Sequence, residues 1–270
     1  MVSHSQENYV LQGGDLGAQR LRLLAEVKWP TTKILLDRIG LRPGMDCLDM
    51  GCGAGGVTLR MAEAVQPGGR VTGVDFDEPC LTLARLEANR LGLDIAFQIA
   101  SVDRFEERSA YDLVYARFLL THLSEPKSAL ERMVQAARPG GVVVVEDIQF
   151  TGHFSYPASP AFDRYVRLYQ DVVRHKGGDS NIGPRLLGMF LDAGLIDVEL
   201  EVIQPTYREG SGKKIASVTM EHIRGSLVAA GLASDEEIDG IVAEINSFAD
   251  DPQTILSLPR IFQVWGKRSS

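Results

Sequence analysis

The sequence lacks any long run of apolar residues. No stretch of its 270 residues approaches the roughly 20 apolar residues that a helix needs to cross a bilayer. The polar segment 1–11 also lacks the cationic start and the apolar core of a secretion signal. These two absences predict a cytoplasmic protein that does not enter a membrane.

Positive charge is also in short supply. The chain has 28 Lys and Arg residues against 36 Asp and Glu residues, so its formal net charge at pH 7 is -8. Nucleic acids and anionic lipid surfaces attract proteins that carry a basic surface. The charge therefore predicts that neither DNA nor RNA is a partner, and it leaves open whether the protein is a monomer or a homodimer.

Cysteine is scarce as well. Only Cys47, Cys52 and Cys80 are present, and they are not spaced as a C-x-x-C pair. An odd number of cysteines without that spacing favours reduced thiols that pack in the interior. The His/Cys/Cys pattern of a zinc site is missing too, so the sequence predicts no metal.

What the sequence does contain is an alternation of strand-like and helix-like segments. Apolar residues at helical spacing within 16–41, interrupted at Trp29-Pro30, predict two helices before the first strand. The β-prone runs that follow predict strands at 47–50, 70–74, 95–100, 113–116 and 142–146. Strands that alternate with helices indicate an α/β fold with a parallel sheet covered on both faces.

This alternation ends after Phe150. The remaining segments predict helices at 161–176 and 184–193, two or three more within 207–259, and strands at 197–203 and 261–265. Helices that add nothing to a sheet are expected to cover it. We therefore expect a single domain over 1–270, with N-terminal helices in 1–42, a core in 43–150, a helical lid in 151–185 and 205–259, and the final strands and helix in 186–204 and 260–268.

The sharpest local signal is a glycine-rich turn at 47–56, with the sequence Cys-Leu-Asp-Met-Gly-Cys-Gly-Ala-Gly-Gly. An apolar strand leads into this turn, and a helix begins near Val57. Gly51, Gly53 and Gly56 match G-x-G-x-x-G, which in dinucleotide enzymes lets a pyrophosphate approach a helix N-terminus. The turn by itself therefore fits an NAD(P)-dependent oxidoreductase.

Two acidic residues argue for a different cofactor. Asp49 lies two residues before the first glycine, where a carboxylate would repel a pyrophosphate but attract an ammonium group. S-adenosylmethionine carries such an ammonium group. Asp75 ends the second strand and can accept hydrogen bonds from both ribose hydroxyls, as an acid does in dinucleotide enzymes, so it indicates a nucleoside without identifying it. These residues favour S-adenosylmethionine, with an oxidoreductase or a non-catalytic S-adenosylmethionine-binding module as the alternatives.

With these residues the sequence resembles the class I S-adenosylmethionine-dependent methyltransferases, in particular the ubiquinone-biosynthesis-like and sugar O-methyltransferase-like branch that acts on small molecules. The matching motifs are Asp49-x-Gly51-x-Gly53, Gly73-Val74-Asp75, Tyr111-Asp112-Leu113-Val114 and Arg138-Pro139-Gly140-Gly141. The resemblance implies a Rossmann-like, seven-stranded sheet whose last strand is antiparallel. It also implies an enzyme that uses S-adenosylmethionine to methylate a small-molecule acceptor, by our prediction on oxygen.

The resemblance further implies a cofactor-binding role for several positions of this chain. Gly51 and Gly53 would approach the methionine part of the cofactor, and Asp75 would hold its ribose. Phe76 would pack on one face of the adenine, and Val102 would reach the adenine edge through its backbone N–H.

Four further positions are expected to contact the cofactor, and one of them departs from the family pattern. Ser101 stands where the family usually has an acid for the adenine amino group, so either Ser101 or Asp103 is expected to make that contact. The N-terminal segment resembles segments that fold over the cofactor in related enzymes. Tyr9 or Arg20 would then meet the cofactor carboxylate.

The catalytic residues are expected at the ends of the fourth and fifth strands, because ligands bind outside the carboxyl ends of parallel strands. In the sugar O-methyltransferase-like relatives a histidine and an aspartate at these places are implicated near the acceptor hydroxyl. The resemblance thus implies His122 as the general base and Asp147 as its orienting partner. Arg117 is expected either to bind the cofactor carboxylate or to pair with Glu146.

Overall fold

The structure is a computed structural model that describes the backbone of residues 15–269 and the side chains of residues 23–269. In the first half of the chain, the helices and strands are α1 (Asp15–Arg38), β1 (Asp46–Met50), α2 (Thr58–Ala64), β2 (Arg70–Asp75), α3 (Glu78–Leu91), β3 (Ile95–Ile99), β4 (Tyr111–Arg117), α4 (Pro126–Ala136) and β5 (Ala137–Gln149). The second half contains β6 (Ser155–Tyr156), α5 (Pro160–His175), α6 (Leu186–Asp192), β7 (Leu195–Ile203), β8 (Thr206–Tyr207), α7 (Ile215–Ala229), α8 (Asp235–Asp250), β9 (Ile255–Ser257) and β10 (Arg260–Arg268).

Seven strands form the main sheet in the order β3-β2-β1-β4-β5-β10-β7. The first five in this order run parallel to one another, whereas β10 is antiparallel to both of its neighbours. This arrangement confirms the predicted Rossmann-like sheet and its antiparallel last strand. The chain moves outward from β1 to β3 and then returns to the other side of β1, so a crevice opens at the carboxyl ends of β1 and β4.

Capping residues set several helix boundaries. Asp77 Oδ1 accepts a hydrogen bond from the Cys80 amide at the start of α3, and Ser159 Oγ accepts one from the Phe162 amide at the start of α5. Gly92 ends α3 with a φ of 68°, a left-handed conformation that glycine adopts without a steric penalty. These local signals explain why the predicted helix ends lie close to the observed ones.

The N-terminal region differs from the prediction. A single helix, α1, passes through Trp29-Pro30 where the sequence predicted two helices. Pro30 removes one intrahelical hydrogen bond, but the buried residues on both sides of it, including Leu24 and Leu35, pack against the rest of the fold. Tertiary packing therefore outweighs the helix-breaking tendency of the proline.

The turn at Arg138-Pro139-Gly140-Gly141 is absorbed into β5. Tyr111 of β4 lies opposite Ala137, and Leu113 lies opposite Val142. Between these two pairs β5 advances by five residues while β4 advances by two. This motif therefore forms an irregularity in the pairing of β4 and β5 inside a longer strand.

The helices predicted as a lid pack together. Side chains of α5, α7 and α8 share one buried apolar cluster with Ile148 and Phe150, which lie at the end of β5 and just after it. A small three-stranded sheet, β6-β9-β8, was not predicted and joins the segments around these helices. Among the helices that the structure describes, none is both long enough and apolar enough to cross a membrane.

Candidate active site

A cavity of about 950 Å³ opens at the carboxyl ends of β1, β2 and β4. Its walls include the glycine-rich turn, the end of β2, part of α1 and residues of α5 and α7. This volume falls at the upper end of the range for small-molecule and cofactor sites. The cavity lies where the sheet topology changes direction, which is where α/β proteins bind their ligands.

The glycine-rich turn brings backbone directly to the cavity wall. The amides of Gly51 and Cys52 both donate to the carbonyl of Val74, at 2.8 and 3.0 Å, and so attach the turn to the end of β2. Gly51 has a φ of 74°, and a Cβ atom there would lie 2.9 Å from Cδ1 of Leu119. Only glycine satisfies both the conformation and the space at this position.

Asp75 is held by the same turn. Its Oδ2 accepts a hydrogen bond of 2.7 Å from the Gly53 amide, and its Oδ1 accepts one of 2.9 Å from the Asp77 amide. Burial raises the pKa of Asp75 above its usual value. Each carboxylate oxygen can accept more than one hydrogen bond, so this fixed group on the cavity wall fits a pair of ligand hydroxyls.

Asp49 lies on the cavity wall with Asp75 and is almost completely buried. Thr58 Oγ1 donates a hydrogen bond of 2.6 Å to its Oδ2. Burial raises the pKa of Asp49 to about 6, while Thr58 and the positive charge of Arg117 act in the opposite direction. A cationic ligand group would compensate for the buried negative charge, as expected for the ammonium group of the cofactor.

The positions predicted for the adenine also meet at the cavity. Phe76, Ser101, Val102 and Asp103 all lie on its wall. The Ser101 hydroxyl donates a hydrogen bond to the Asp103 carboxylate. The two residues that the sequence offered as alternatives for the amino group are therefore joined into one polar pair.

Arg117 does not pair directly with Glu146, and its predicted contact with the cofactor carboxylate stays a prediction. Its Nη1 donates a 3.2 Å hydrogen bond to Thr32 Oγ1, and Thr32 donates one of 2.7 Å to Glu146 Oε1. Arg117 thus reaches Glu146 through Thr32 while it also lines the cavity. Tyr9 lies outside the described residues, as does the side chain of Arg20, so their predicted contacts with the cofactor stay predictions.

His122 and Asp147 occupy different environments. His122 ends a single 3-10 turn, Leu120–His122, and lies on the cavity wall. Asp147 is completely buried, and its two carboxylate oxygens accept the amides of Thr121 and Ile148 at 3.0 and 2.9 Å. Burial raises the pKa of Asp147 to about 7. These contacts attach the turn that carries His122 to β5.

Four basic residues of the cavity were not predicted from the sequence, namely Lys28, Arg60, His153 and His222. Lys28 of α1 and His153, which follows β5, both line it. His153 lies 4.3 Å from the ring of Phe150, and burial lowers the pKa of His153 to about 3. A signal for Lys28 was available, because it follows the buried Leu24 by four residues and so falls on the apolar face of α1.

The model of a family described as a methyltransferase domain matches residues 41–176 of this chain, which include the glycine-rich turn, Asp75 and His122. The chain belongs to the class I S-adenosylmethionine-dependent methyltransferases. Asp49, Gly51, Gly53, Asp75 and His122 therefore lie within the part of the chain that matches a methyltransferase domain.

The names of two curated relatives of this chain specify different acceptor atoms, oxygen and nitrogen. A ubiquinone biosynthesis O-methyltransferase of Nitrosospira multiformis is 33% identical over 115 residues, which cover 42% of this chain and 47% of the relative. Phosphoethanolamine N-methyltransferase 1 of Arabidopsis thaliana is 26% identical over 172 residues, which cover 63% of this chain and 33% of the relative. The matches span about half or less of the length of these two relatives.

Solved structures support the methyltransferase fold over most of the chain. A putative methyltransferase from Bacillus halodurans superposes with a TM-score of 0.59 at 18% identity and covers 88% of this chain and 98% of that one. At this level of identity the likeness shows the fold alone.

The unliganded protein should lose stability as the pH rises from about 4 to about 7. Asp49 and Asp147 have pKa values of about 6 and 7 in the folded protein, both above the ordinary 3.8. The folded state therefore binds more protons than the unfolded state in this window, and the stability present at low pH is lost as the two groups ionise. Urea unfolding from pH 5 to pH 8 measures this change.

The variant Asp49→Asn should reduce that loss by about 1–3 kcal/mol, since an amide does not ionise. If the wild type and Asp49→Asn show the same pH dependence of unfolding, the buried carboxylate of Asp49 is not the group that titrates.

Proposed function

We propose that this protein transfers the methyl group of S-adenosylmethionine to an oxygen atom of a small-molecule acceptor. The observation that carries the proposal is the pair of carboxylates, Asp49 and Asp75, that line one cavity wall beside the Gly51–Gly53 turn, with Asp49 almost completely buried. Asp49 suits an ammonium group and would repel the pyrophosphate of a dinucleotide, and Asp75 suits a ribose.

The residues present fit S-adenosylmethionine. In the proposal, Asp49 holds the ammonium group, Asp75 holds the ribose hydroxyls, and Gly51 and Gly53 let the backbone approach the methionine part. The adenine packs against Phe76 and meets the amide of Val102, with the Ser101–Asp103 pair near its amino group. When bound, the cofactor supplies an electrophilic methyl group on a positively charged sulfur.

The opposite part of the cavity supports a small, largely apolar acceptor. Its wall is built from aromatic and aliphatic side chains, which include Phe118, Ile148, Phe150, Tyr165, Tyr169 and Ile215. The rings of Phe150 and Tyr169 stack at a centroid distance of 3.8 Å. A flat, apolar molecule fits against such a surface, and the net charge of -8 argues against a nucleic-acid acceptor.

The charges near this wall favour oxygen over nitrogen as the acceptor atom. Lys28 and Arg117 both lie near the Phe118 ring, each 5.7 Å from its centroid. The positive charge of Arg117 would repel a protonated amine, whereas it would not repel a hydroxyl. We propose that α5 and α7 act as the lid that holds the acceptor in line with the methyl group and excludes water, a positioning effect that contributes roughly 7–11 kcal/mol in favourable cases.

Calorimetric titration with S-adenosylhomocysteine and, separately, with NADH tests the proposed cofactor. We expect S-adenosylhomocysteine to bind with a dissociation constant on the order of micromolar and NADH to bind at least roughly a hundredfold more weakly. Transfer of a labelled methyl group to a panel of phenols and a matched panel of amines then tests the acceptor atom. Preferential labelling of the amines would refute oxygen methylation while leaving the cofactor assignment intact.

Removal of the His122 imidazole should lower the turnover number by about 10²–10⁴-fold, because His122 is the proposed general base. The affinity for S-adenosylhomocysteine should stay within about twofold of the wild type. The measurement is the rate of methyl transfer to the best phenol of the panel, with His175→Ala, a histidine outside the cavity lining, as the control. An unchanged rate in His122→Ala would exclude this residue as the base.

A further inference from the structure

Lys28 is a buried amine that faces the cavity without a hydrogen-bond acceptor. The residue is only 2% exposed and lines the cavity, and no acceptor for its Nζ lies among residues 23–269. Lys213, the other buried lysine, is different because its Nζ donates to the carbonyls of Asp251 and Thr254 and to Thr254 Oγ1. A buried amine without such partners destabilises a fold unless a ligand supplies one.

The charges around Lys28 leave room for a negative ligand. Lys28 and Arg117 share the region of the Phe118 ring, and Glu146 is the acid that attracts Lys28. The two oxygens of Glu146 already accept hydrogen bonds, from the side chains of Thr32, Tyr115 and Gln263. Both oxygens of Glu146 are therefore occupied by these three donors, and neither accepts a hydrogen bond from Lys28 Nζ.

We propose that Lys28 binds an acidic oxygen of the acceptor, such as a carboxylate or an enolate, beside the hydroxyl that is methylated. This assignment rests on the proposed function, which it deepens by naming a class of acceptor. Lys28 Nζ lies 5.7 Å from the ring centroid of Phe118, which belongs to the aromatic wall of the cavity. The amine is therefore near the acceptor wall, whereas Asp49 and Asp75 mark the cofactor wall.

The protonation of Lys28 depends on what the cavity holds. Burial and the repulsion of Arg117 lower the pKa of Lys28 well below its ordinary value, while Glu146 acts in the opposite direction. The nearby His153, whose pKa is lowered to about 3, adds no positive charge near neutral pH. An oxyanion beside the amine favours its charged form, so binding of an acidic ligand should be accompanied by proton uptake.

The experiment compares two probes of similar shape, benzoate and benzyl alcohol, in calorimetric titrations of the S-adenosylhomocysteine complex. The wild type should bind benzoate at least tenfold more tightly than benzyl alcohol, with proton uptake revealed by titration in buffers of different ionisation enthalpy. Lys28→Met should abolish both the preference and the uptake. The matched control is Lys33→Met, which removes an exposed lysine of the same helix that pairs with Asp37.

Thermal unfolding distinguishes a ligand-binding lysine from a structural one. Lys28→Met should unfold at the same temperature as the wild type or higher, because methionine removes a buried amine that has no hydrogen-bond acceptor within residues 23–269. A lower unfolding temperature, no preference for benzoate in the wild type, or the same preference in Lys28→Met would overturn the assignment.

Two results separate this proposal from neighbouring ones. If Lys28→Met weakens S-adenosylhomocysteine binding tenfold or more, the amine holds the cofactor carboxylate, and our assignment to the acceptor is wrong. If the wild type binds benzoate through Lys28 but does not bind S-adenosylhomocysteine, the anion site stands and the proposed methyltransferase activity fails.

Discussion

Replacing Asp75 by alanine is expected to weaken S-adenosylhomocysteine binding by about 1–3 kcal/mol, or roughly 5- to 150-fold. The substitution removes the carboxylate that would accept the ribose hydroxyls. It also removes the acceptor of the Gly53 and Asp77 amides, which fixes the glycine-rich turn to the end of β2. Isothermal titration calorimetry of the purified variant measures the effect.

A matched control for Asp75→Ala is Asp112→Asn. Asp112 also accepts a backbone amide, that of Asp46 at 2.8 Å, but it lies at the amino-terminal end of β4, at the opposite edge of the sheet from the cavity. This control should bind S-adenosylhomocysteine like the wild type. Unchanged affinity in a folded Asp75→Ala protein would refute the assignment of the ribose to Asp75.

Replacing Asp147 by alanine is expected to lower the free energy of unfolding by about 2–5 kcal/mol at pH 6. The carboxylate is completely buried, and its removal leaves the amides of Thr121 and Ile148 without their acceptor. The more conservative Asp147→Asn keeps one oxygen and should lose about half as much. Urea unfolding monitored by circular dichroism gives both values.

The cost of Asp147→Ala should shrink as the pH rises. The pKa of Asp147 is raised from 3.8 to about 7 in the folded protein, so the wild type loses the stability that this group contributes as the pH rises from about 4 to about 7, and part of that loss falls between pH 6 and pH 7. The alanine variant has no such group to ionise, and the difference between the two proteins becomes smaller at pH 8 than at pH 6. A difference that grows with pH would show that the ionised carboxylate is the stabilising form.

Asp147→Ala also tests how Asp147 serves catalysis. If Asp147 acts by holding the Leu120–His122 turn, turnover and stability should fall together, and Asp147→Asn should recover part of both. Loss of turnover with unchanged stability would instead support the orienting role towards His122 that the family resemblance implies.

The cofactor wall was largely predictable because its parts are close in sequence. Asp49, Gly51 and Gly53 lie in one strand–turn segment, and Asp75 ends the next strand. In parallel α/β folds the carboxyl ends of neighbouring strands meet at one edge of the sheet, so the pattern of strands sufficed to bring these residues together. The sequence also placed His122 just after β4 and Asp147 near the end of β5. It did not predict that Asp147 is buried against backbone amides.

The acceptor wall could not be predicted in this way. Lys28 and His153 are far apart in sequence and line the same cavity only in the folded protein, where α1 packs against α7. The same packing keeps α1 continuous through Pro30, against its local tendency. Residue types in the late helices indicated a cover for the sheet, but the side chains that turn inward were decided by how those helices pack.

The sequence alone determined that this protein has an α/β fold with a parallel sheet and a glycine-rich turn between two acids, because these features depend on periodicity and on residues in adjacent segments, while its family resemblance implied the seven strands. The tertiary structure alone decided which basic and aromatic side chains face the second half of the cavity. The physical reason is that helical spacing can place Lys28 on the apolar face of α1 but does not show whether its amine is enclosed. Its burial without a hydrogen-bond acceptor among the described residues arises only when helices distant in the chain pack around it.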